Sequence, residues 1–338
     1  MTVPLIQGGM GVGISMGGLA GAVAREGGMG VISTANIGFR EDDFRSDTTE
    51  ADKRALRREI EKAREISEGN GLIAVNVMVA TTRFAEMVKT AAECGIDAVI
   101  SGAGLPLELP GLVEEGGPMI APVVSSGKAA GLMCRYWERS YGRRPDFIVI
   151  EGSMAGGHLG FGRDELLENK AETLGAILED VLKVTAGIPL FVAGGVFTRK
   201  EIAAFMEAGA AGVQMATRFI ATEECDASQG FKDVILGASS SDVVILQSPV
   251  GMPGRGVRTP LLERSEAGSR TVTSHCIGCL KSCRRGEAPY CINDALIAAF
   301  NGDLENGLFF CGGRVGEVDH MTTVRELVAE LLPERKGS

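Results

Sequence analysis

Eight short runs of apolar and β-branched residues, each followed by a helical pattern, constrain this chain more than any other feature. They read PLIQGGM (4–10), GMGVISTA (28–35), GLIAVNVMVA (71–80), AVISGAG (98–104), MIAPVVSS (119–126), DFIVIEG (146–152), PLFVAGGV (189–196) and GVQMATRF (212–219). Nearly continuous apolar runs suit parallel strands covered on both faces, because an antiparallel strand with one wet face would alternate. Between the runs lie amphipathic stretches such as RFAEMVKTAAECG and ETLGAILEDVLKVTAG, several stopped by glycine at the helix end. Eight such units in about 220 residues predict a (β/α)8 TIM barrel; an open doubly wound sheet seldom runs to eight consecutive units.

The barrel is expected over residues 1–222. A charged stretch at about 40–70 is read as an inserted, solvated helix without chemistry. Residues 223–338 leave the rhythm and hold most of the eight cysteines, so a cysteine-rich, mainly helical appendage or lid is expected there. A formal net charge of -10 excludes nucleic acid and anionic membrane as partners, since neither surface would attract the protein. No charged region followed by a long apolar run opens the chain, which points to the cytoplasm and to reduced thiols or metal ligands rather than disulfides.

In a TIM barrel the ligand end is the C-terminal edge of the strands, where the loops converge. Glycine pairs end the first, sixth and seventh runs, and 47 glycines in all suggest backbone N–H groups brought close to a flat or phosphorylated ligand. The seventh and eighth loops, VAGGV (192–196) and MAT (215–217), are where such barrels cradle phosphate, with Thr217 adding a hydroxyl. Lys128 could supply charge to a ring or phosphate, or be a solvated lysine in the first turn of a helix. The loop EGSMAGGHLGF (151–161) places His158, one of only three histidines, after a strand and a Gly-Gly pair. An imidazole there, with its ordinary pKa near 6.5, could exchange a proton with a substrate at neutral pH.

The set PLIQGGMG, AVNVM, SGAG, EGSMAGGHLG, FVAGGV and GVQMATRF, in that order, resembles the nitronate monooxygenase family, once called 2-nitropropane dioxygenases, whose superfamily includes the flavin-dependent enoyl-ACP reductase II enzymes. The resemblance covers residues 3–222 and implies FMN at the strand ends of a TIM barrel. It places Gly8, Gly9 and Met10 near the isoalloxazine, Asn76 in hydrogen bonding to it, and Lys128 and Glu151 on its polar side or ribityl chain. It brings Gly156 and Gly157 close, assigns Gly194, Gly195, Met215, Ala216 and Thr217 to the phosphate, and makes His158 the catalytic residue. The implied reaction is oxidation of an alkyl nitronate with O2, His158 acting as acid/base or anion-binding group. The alternative is reduction of an enoyl thioester with NAD(P)H as donor, and a second alternative is a non-catalytic barrel that binds a phosphorylated metabolite. A small-molecule substrate and a homodimer complete this expectation.

The tail motif HCIGCLKSCRRGEAPYC spaces Cys276, Cys279, Cys283 and Cys291 as C-x2-C-x3-C-x7-C. Four thiolates could hold a [4Fe–4S] cluster or tetrahedral Zn2+, or the cysteines could be reduced thiols packed in a small subdomain. Its first part, CIGCLKSC, is similar to the iron–sulfur stretch of the dienoyl-CoA reductase and trimethylamine dehydrogenase group. Cys311 and His275 are weaker ligand candidates than these four. A Rossmann reading of GGMGVGISMGG fails, because no acidic residue ends the next strand at GMGVISTA. An inosine-monophosphate-dehydrogenase-like barrel would share the AGG corner but would need a cysteine loop that the sixth run lacks.

Overall fold

The structure is a computed structural model, and it describes residues 1–332. All eight apolar runs form strands: β1 Leu5–Gln7, β2 Met29–Ser33, β3 Leu72–Met78, β4 Ala98–Gly102, β5 Met119–Val124, β6 Ile148–Glu151, and, after the two-residue β7 Gly157–His158, β8 Leu190–Ala193 and β9 Gly212–Met215. Every barrel strand is parallel to its neighbours, in the order β1-β2-β3-β4-β5-β6-β8-β9, and β9 pairs with β1 to close the ring. The helices are α1 Gly17–Arg25, α2 Thr48–Ser67, α3 Phe84–Glu93, α4 Gly127–Tyr141, α5 Arg163–Leu167, α6 Leu174–Thr185, α7 Arg199–Glu207 and α8 Thr217–Ile220. The tail adds α9 Gln229–Gly237, β10 Val243–Gln247, β11 Pro253–Val257, α10 Pro260–Glu266, α11 Ile292–Phe300 and α12 Val324–Leu331. No helix among the described residues is long and apolar enough to cross a membrane.

Side chains alternate along each strand, so two cores form. Ile6, Met29, Val31, Ala74, Ile100, Ala121, Phe147, Val149 and Phe191 fill the barrel interior. Leu5, Ile32, Ile73, Val75, Val99, Ile120, Ile150 and Val213 face outward and pack beneath the helices. Both faces are therefore buried, which is why the runs carry almost no polar residue until their last positions.

Two expectations need correction. The charged stretch at 40–70 is not an insertion: it supplies α2, the crossover that a parallel β2–β3 connection requires. Its Ala51, Ala55, Leu56, Ile60 and Ala63 are buried, and α2 packs on α1; of its charged residues Asp52 and Glu59 are also buried, Asp52 paired with Arg83 and Glu59 accepting the N–H of Gly17. The tail is mainly helical but not wholly so, because the β10–β11 hairpin joins β7 in an antiparallel sheet, with Gly254 opposite His158. Tail residues Phe231, Phe300, Phe309, Cys311, Val315 and Leu327 belong to the same apolar cluster as the barrel's outer core.

One polar contact ties tail to barrel at the start of α1, which lacks a side-chain cap of its own. The Asp226 carboxylate accepts hydrogen bonds from the N–H groups of Met16 (2.9 Å), Gly18 (3.2 Å) and Leu19 (3.0 Å), three donors that the helix leaves unsatisfied. Lys62 of α2 reaches the same carboxylate at 3.1 Å. Replacing Asp226 by Ala is expected to lower stability by about 1–2 kcal/mol, and by Asn considerably less, read from urea unfolding midpoints.

Candidate active site

The alternation that packs the barrel also decides what meets the ligand. Inward positions on β2 run Met29, Val31, Ser33; on β3, Ala74, Asn76, Met78; on β6, Val149, Glu151; on β9, Gly212, Gln214. The last member of each series reaches the C-terminal mouth. There Ser33, Asn76, Met78, Glu151 and Gln214, with Gly8, Gly102 and Val123, line a cavity of ≈ 240 Å³. Its rim comes from the loops and from the tail residues Leu308, Phe310, Cys311, Gly312 and Arg314.

His158 lines this cavity, but not from a free loop. It is the second residue of β7 and is held in register by β11, while Leu159 N–H donates to the carbonyl of Pro253 at 2.9 Å. Its Nε2 lies 2.8 Å from Ser248 Oγ, and its ring meets that of Phe310 edge-on at 5.1 Å between centroids. Ser248 Oγ accepts the N–H of Val250 at 3.2 Å, so its own proton is available for His158 Nε2. With Ser248 as the donor, the ring proton sits on Nδ1. Burial lowers the histidine's pKa to about 4, so the imidazole is neutral at pH 7, against the sequence expectation of an ordinary value near 6.5.

Glu151 experiences the same burial with the opposite outcome. Its carboxyl is pushed up to about 8 by desolvation alone, with no cationic partner to offset it. At neutral pH it is mostly the uncharged acid, a hydrogen-bond donor as well as an acceptor. The side-chain amides of Asn76 and Gln214 also face the cavity without a protein partner among the described residues. An array of unpartnered polar groups on a closed floor is what a polar, planar ligand would satisfy.

Opposite stands the glycine corner of β8 and β9. Gly194 and Gly195 have φ of +84° and +102°, a region side chains avoid, and a Cβ on Gly194 would lie 2.7 Å from the carbonyl of Gly152. Met215, Ala216 and Thr217 face them across the β8–β9 junction, and Thr217 Oγ1 accepts the N–H of Gly312 at 2.9 Å, leaving its proton available to a ligand. Arg314 donates to the Gly195 carbonyl at 2.9 Å, and Arg218 and Arg314 hold Phe197 between them, at 4.7 and 4.9 Å from its ring centre. Both arginines line the cavity and are ion-paired, Arg218 with Glu330 at 2.8 Å and Arg314 with Glu201 at 2.6 Å and Glu317 at 2.5 Å, so this end carries fixed N–H donors without a net positive charge.

Of the residues singled out in the sequence, Gly8, Gly9, Met10, Asn76, Glu151, Gly156, Gly157, His158, Gly194, Gly195, Met215, Ala216 and Thr217 are brought together here. Lys128 is not: it sits exposed on the first turn of α4, outside the cavity. Gln214 and Ser33 were legible from strand alternation alone. Ser248, Phe310 and Arg314 were not, because they come from the tail and no local pattern points them at the barrel.

The four tail cysteines line a second cavity of ≈ 70 Å³ together with Tyr290 and Arg285. Cys276 and Cys283 are exposed, and Cys279 and Cys291 half-buried. Burial first, and then the neighbouring Cys291, Cys283 and Cys276, push the Cys279 thiol up to about 12. Among the described residues no three His, Cys, Asp or Glu side chains form a ready-made single-ion site. Cys311 lines the larger cavity instead, and His275 is paired with Ser274.

A closed parallel barrel with a glycine-lined phosphate corner and an unpartnered polar floor defines a TIM-barrel protein built to hold a phosphorylated, planar cofactor. The family model described as nitronate monooxygenase matches residues 1–334, and the chain belongs to that family. Over 269 residues it is 28% identical to a Mycobacterium tuberculosis protein named (3aS,4S,5R,7aS)-5-hydroxy-7a-methyl-1-oxo-octahydro-1H-indene-4-carboxyl-CoA dehydrogenase, 79% of this chain and 66% of that one. Over 120 residues it is 32% identical to a probable nitronate monooxygenase of Staphylococcus saprophyticus, 35% of this chain and 34% of that one. The chain thus spans under two thirds of the length of either relative. Among solved structures, FabK from Thermotoga maritima is 27% identical with a TM-score of 0.74, covering 98% of this chain and 92% of FabK. Nitroalkane oxidase from Streptomyces ansochromogenes has the same fold, with a TM-score of 0.73 at 18% identity over 98% of this chain and 97% of its own.

The raised pKa of Glu151 has a consequence for stability. The unfolded chain releases this proton near pH 4.5 while the folded chain keeps it to about pH 8, so stability falls as pH rises between those values. In flavin-free protein, Glu151→Gln should remove that decline, leaving the variant more stable than wild type by a few kcal/mol at pH 8 and similar to it near pH 4. Urea melts across this range measure it.

Proposed function

We propose that this chain is an FMN-dependent oxidoreductase that oxidises alkyl nitronates with O2. The observation that carries the reading is a neutral, Ser248-bound His158 facing the cavity that also holds the phosphate corner, in a chain whose whole described length belongs to the nitronate monooxygenase family. The residues present fit FMN: two left-handed glycines leave room for a phosphate, the Thr217 hydroxyl stands beside them, and the polar floor is unpartnered. Bound there, FMN would supply the electron acceptor and the site of oxygen reduction.

The chain's own residues do the rest. Gly194, Gly195 and Thr217, with Arg314 behind them, hold the phosphate, and Asn76, Gln214 and the protonated Glu151 offer hydrogen bonds to the polar edge of the ring system. Met10 and Phe310 give the cavity apolar wall and exclude water from the reacting face. The Nδ1–H of His158 donates a hydrogen bond to an oxygen of the nitronate anion. With a pKa near 4 the imidazole is a poor base at pH 7, so the reading favours a substrate that arrives already ionised over the neutral nitroalkane.

A second reading, reduction of an enoyl thioester with NAD(P)H as donor, is favoured by the full-length likeness to FabK and by the relative named for a carboxyl-CoA substrate. A non-catalytic phosphometabolite-binding barrel would need neither His158 at the cavity nor Ser248 to hold it. In either enzymatic reading the partner is a small molecule, with no nucleic acid or membrane engaged, in a cytoplasmic monomer or homodimer. Cys276, Cys279, Cys283 and Cys291 would give the enzyme a second, thiolate-held centre of iron–sulfur or zinc.

Anaerobic titration of the purified protein separates the readings. Propyl-2-nitronate should bleach the flavin absorbance and NADH or NADPH should not; bleaching by a nicotinamide alone would transfer the protein to the thioester-reductase class. His158→Ala should keep its flavin while kcat/KM for nitronate falls by about 10–10², whereas unchanged kinetics would remove His158 from the mechanism. The wild-type pH profile should carry no histidine limb near 6.5. Gly195→Leu should empty the phosphate corner, measured as flavin released on denaturation.

A further inference from the structure

Residues 267–291, between α10 and α11, form no helix or strand. A segment of that length without regular structure is uncommon in a compact protein unless something other than backbone pairing organises it. This one is nevertheless fixed against the barrel, at the loop that follows β3. Thr82 N–H and Oγ1–H donate to the carbonyls of Cys279 (3.1 Å) and Gly278 (2.7 Å), and Lys281 N–H donates to that of Ala80 at 2.9 Å. The far end is fixed by Cys291, which opens α11. Between these anchors all four cysteines of the motif turn toward one space.

A second observation points to a ligand in that space. Tyr290 is 2% exposed and lines the same cavity, yet its hydroxyl is buried without any hydrogen-bond partner. A buried donor left unmade costs about 1–3 kcal/mol, so such groups usually face something that accepts from them. Sulfide or thiolate sulfur would be that acceptor.

We propose that Cys276, Cys279, Cys283 and Cys291 together ligate a [4Fe–4S] cluster in the cavity they line, with the Tyr290 hydroxyl donating to one of its sulfurs. The proposal deepens the thiolate-metal reading of these cysteines and is independent of the nitronate assignment. Size decides between a cluster and a single ion. Zinc held by four thiolates at about 2.3 Å draws the sulfurs into near contact and leaves no room between them. Here the four cysteines share the lining of a cavity of ≈ 70 Å³ with Tyr290 and Arg285, room for more than one ion. Ligation releases four thiol protons and leaves the oxidised cluster with its thiolates as a dianion, beside which Arg285 lines the cavity. Two chain segments run from this centre to the larger cavity. Met78 lines the larger cavity four residues before Thr82, and Leu296 lines it one turn beyond the start of α11.

The test uses the whole chain, purified without oxygen after assembly with sulfide and equal amounts of ferrous and ferric iron, and assays iron, labile sulfide, zinc and released flavin separately. The expected result is about four iron and four sulfide per chain, with broad absorbance near about 400 nm lost on reduction by dithionite. In the C279S/C283S double variant iron and sulfide should fall by at least about tenfold while released flavin stays unchanged. Tyr290→Phe should keep its iron and show a lower midpoint potential, because a hydrogen bond to sulfur stabilises the reduced cluster. One zinc per chain without sulfide, no metal in any preparation, or iron retained by the double variant would each overturn the proposal. Should the double variant fail to fold, the wild-type stoichiometry and the Tyr290→Phe potential still decide. Flavin content is read independently, so loss of the cluster and loss of the flavin reading are separate results.

Discussion

Closure of the barrel by the β1–β9 ladder is the constraint on which the rest depends. The register sets Leu5 against Val213, Ile6 against Gln214 and Gln7 against Met215, and Gly8 N–H continues the ladder to the carbonyl of Met215 at 2.8 Å. Residues more than 200 positions apart in sequence are thereby made neighbours. The Gly8–Met10 turn meets the Met215–Thr217 corner at one mouth. A one-residue slip would turn Gln214 outward beneath the helices and Val213 into the cavity, so the same register that fills the core aims the polar floor.

The floor works by burial rather than by charge pairing. Desolvation alone acts on Glu151 and on His158, raising one and lowering the other, so both are neutral at pH 7. The cavity thus offers neutral hydrogen-bonding groups at one end and the glycine corner, flanked by the ion-paired Arg218 and Arg314, at the other. That division suits a ligand with a flat, hydrogen-bonding head and an anionic tail.

The tail completes this site rather than lying over it. The β10–β11 hairpin converts the Gly157–His158 segment into a strand, Ser248 fixes the imidazole, Phe310 packs against its ring, and Gly312 binds Thr217. Gly156 shows how close the approach is, since a Cβ there would stand 2.4 Å from the Cys311 carbonyl carbon. A histidine that a Gly-Gly loop would leave mobile is held by contacts 90 to about 150 residues away.

By itself the sequence determined the eight strands, their parallel pairing, the barrel and the glycine corners, because burial on two faces and the helical period write themselves into local patterns. It also determined that four cysteines share one motif and that His158 follows a strand. Only the tertiary structure decided that the charged stretch is the second crossover helix, that Lys128 points away from the cavity, and that His158 is neutral and tied to Ser248. Each of those depends on long-range packing: which face of α2 meets α1, where α4 starts, and how much protein surrounds an imidazole. Solvation and partner choice are properties of the assembled neighbourhood, and no run of adjacent residues carries them.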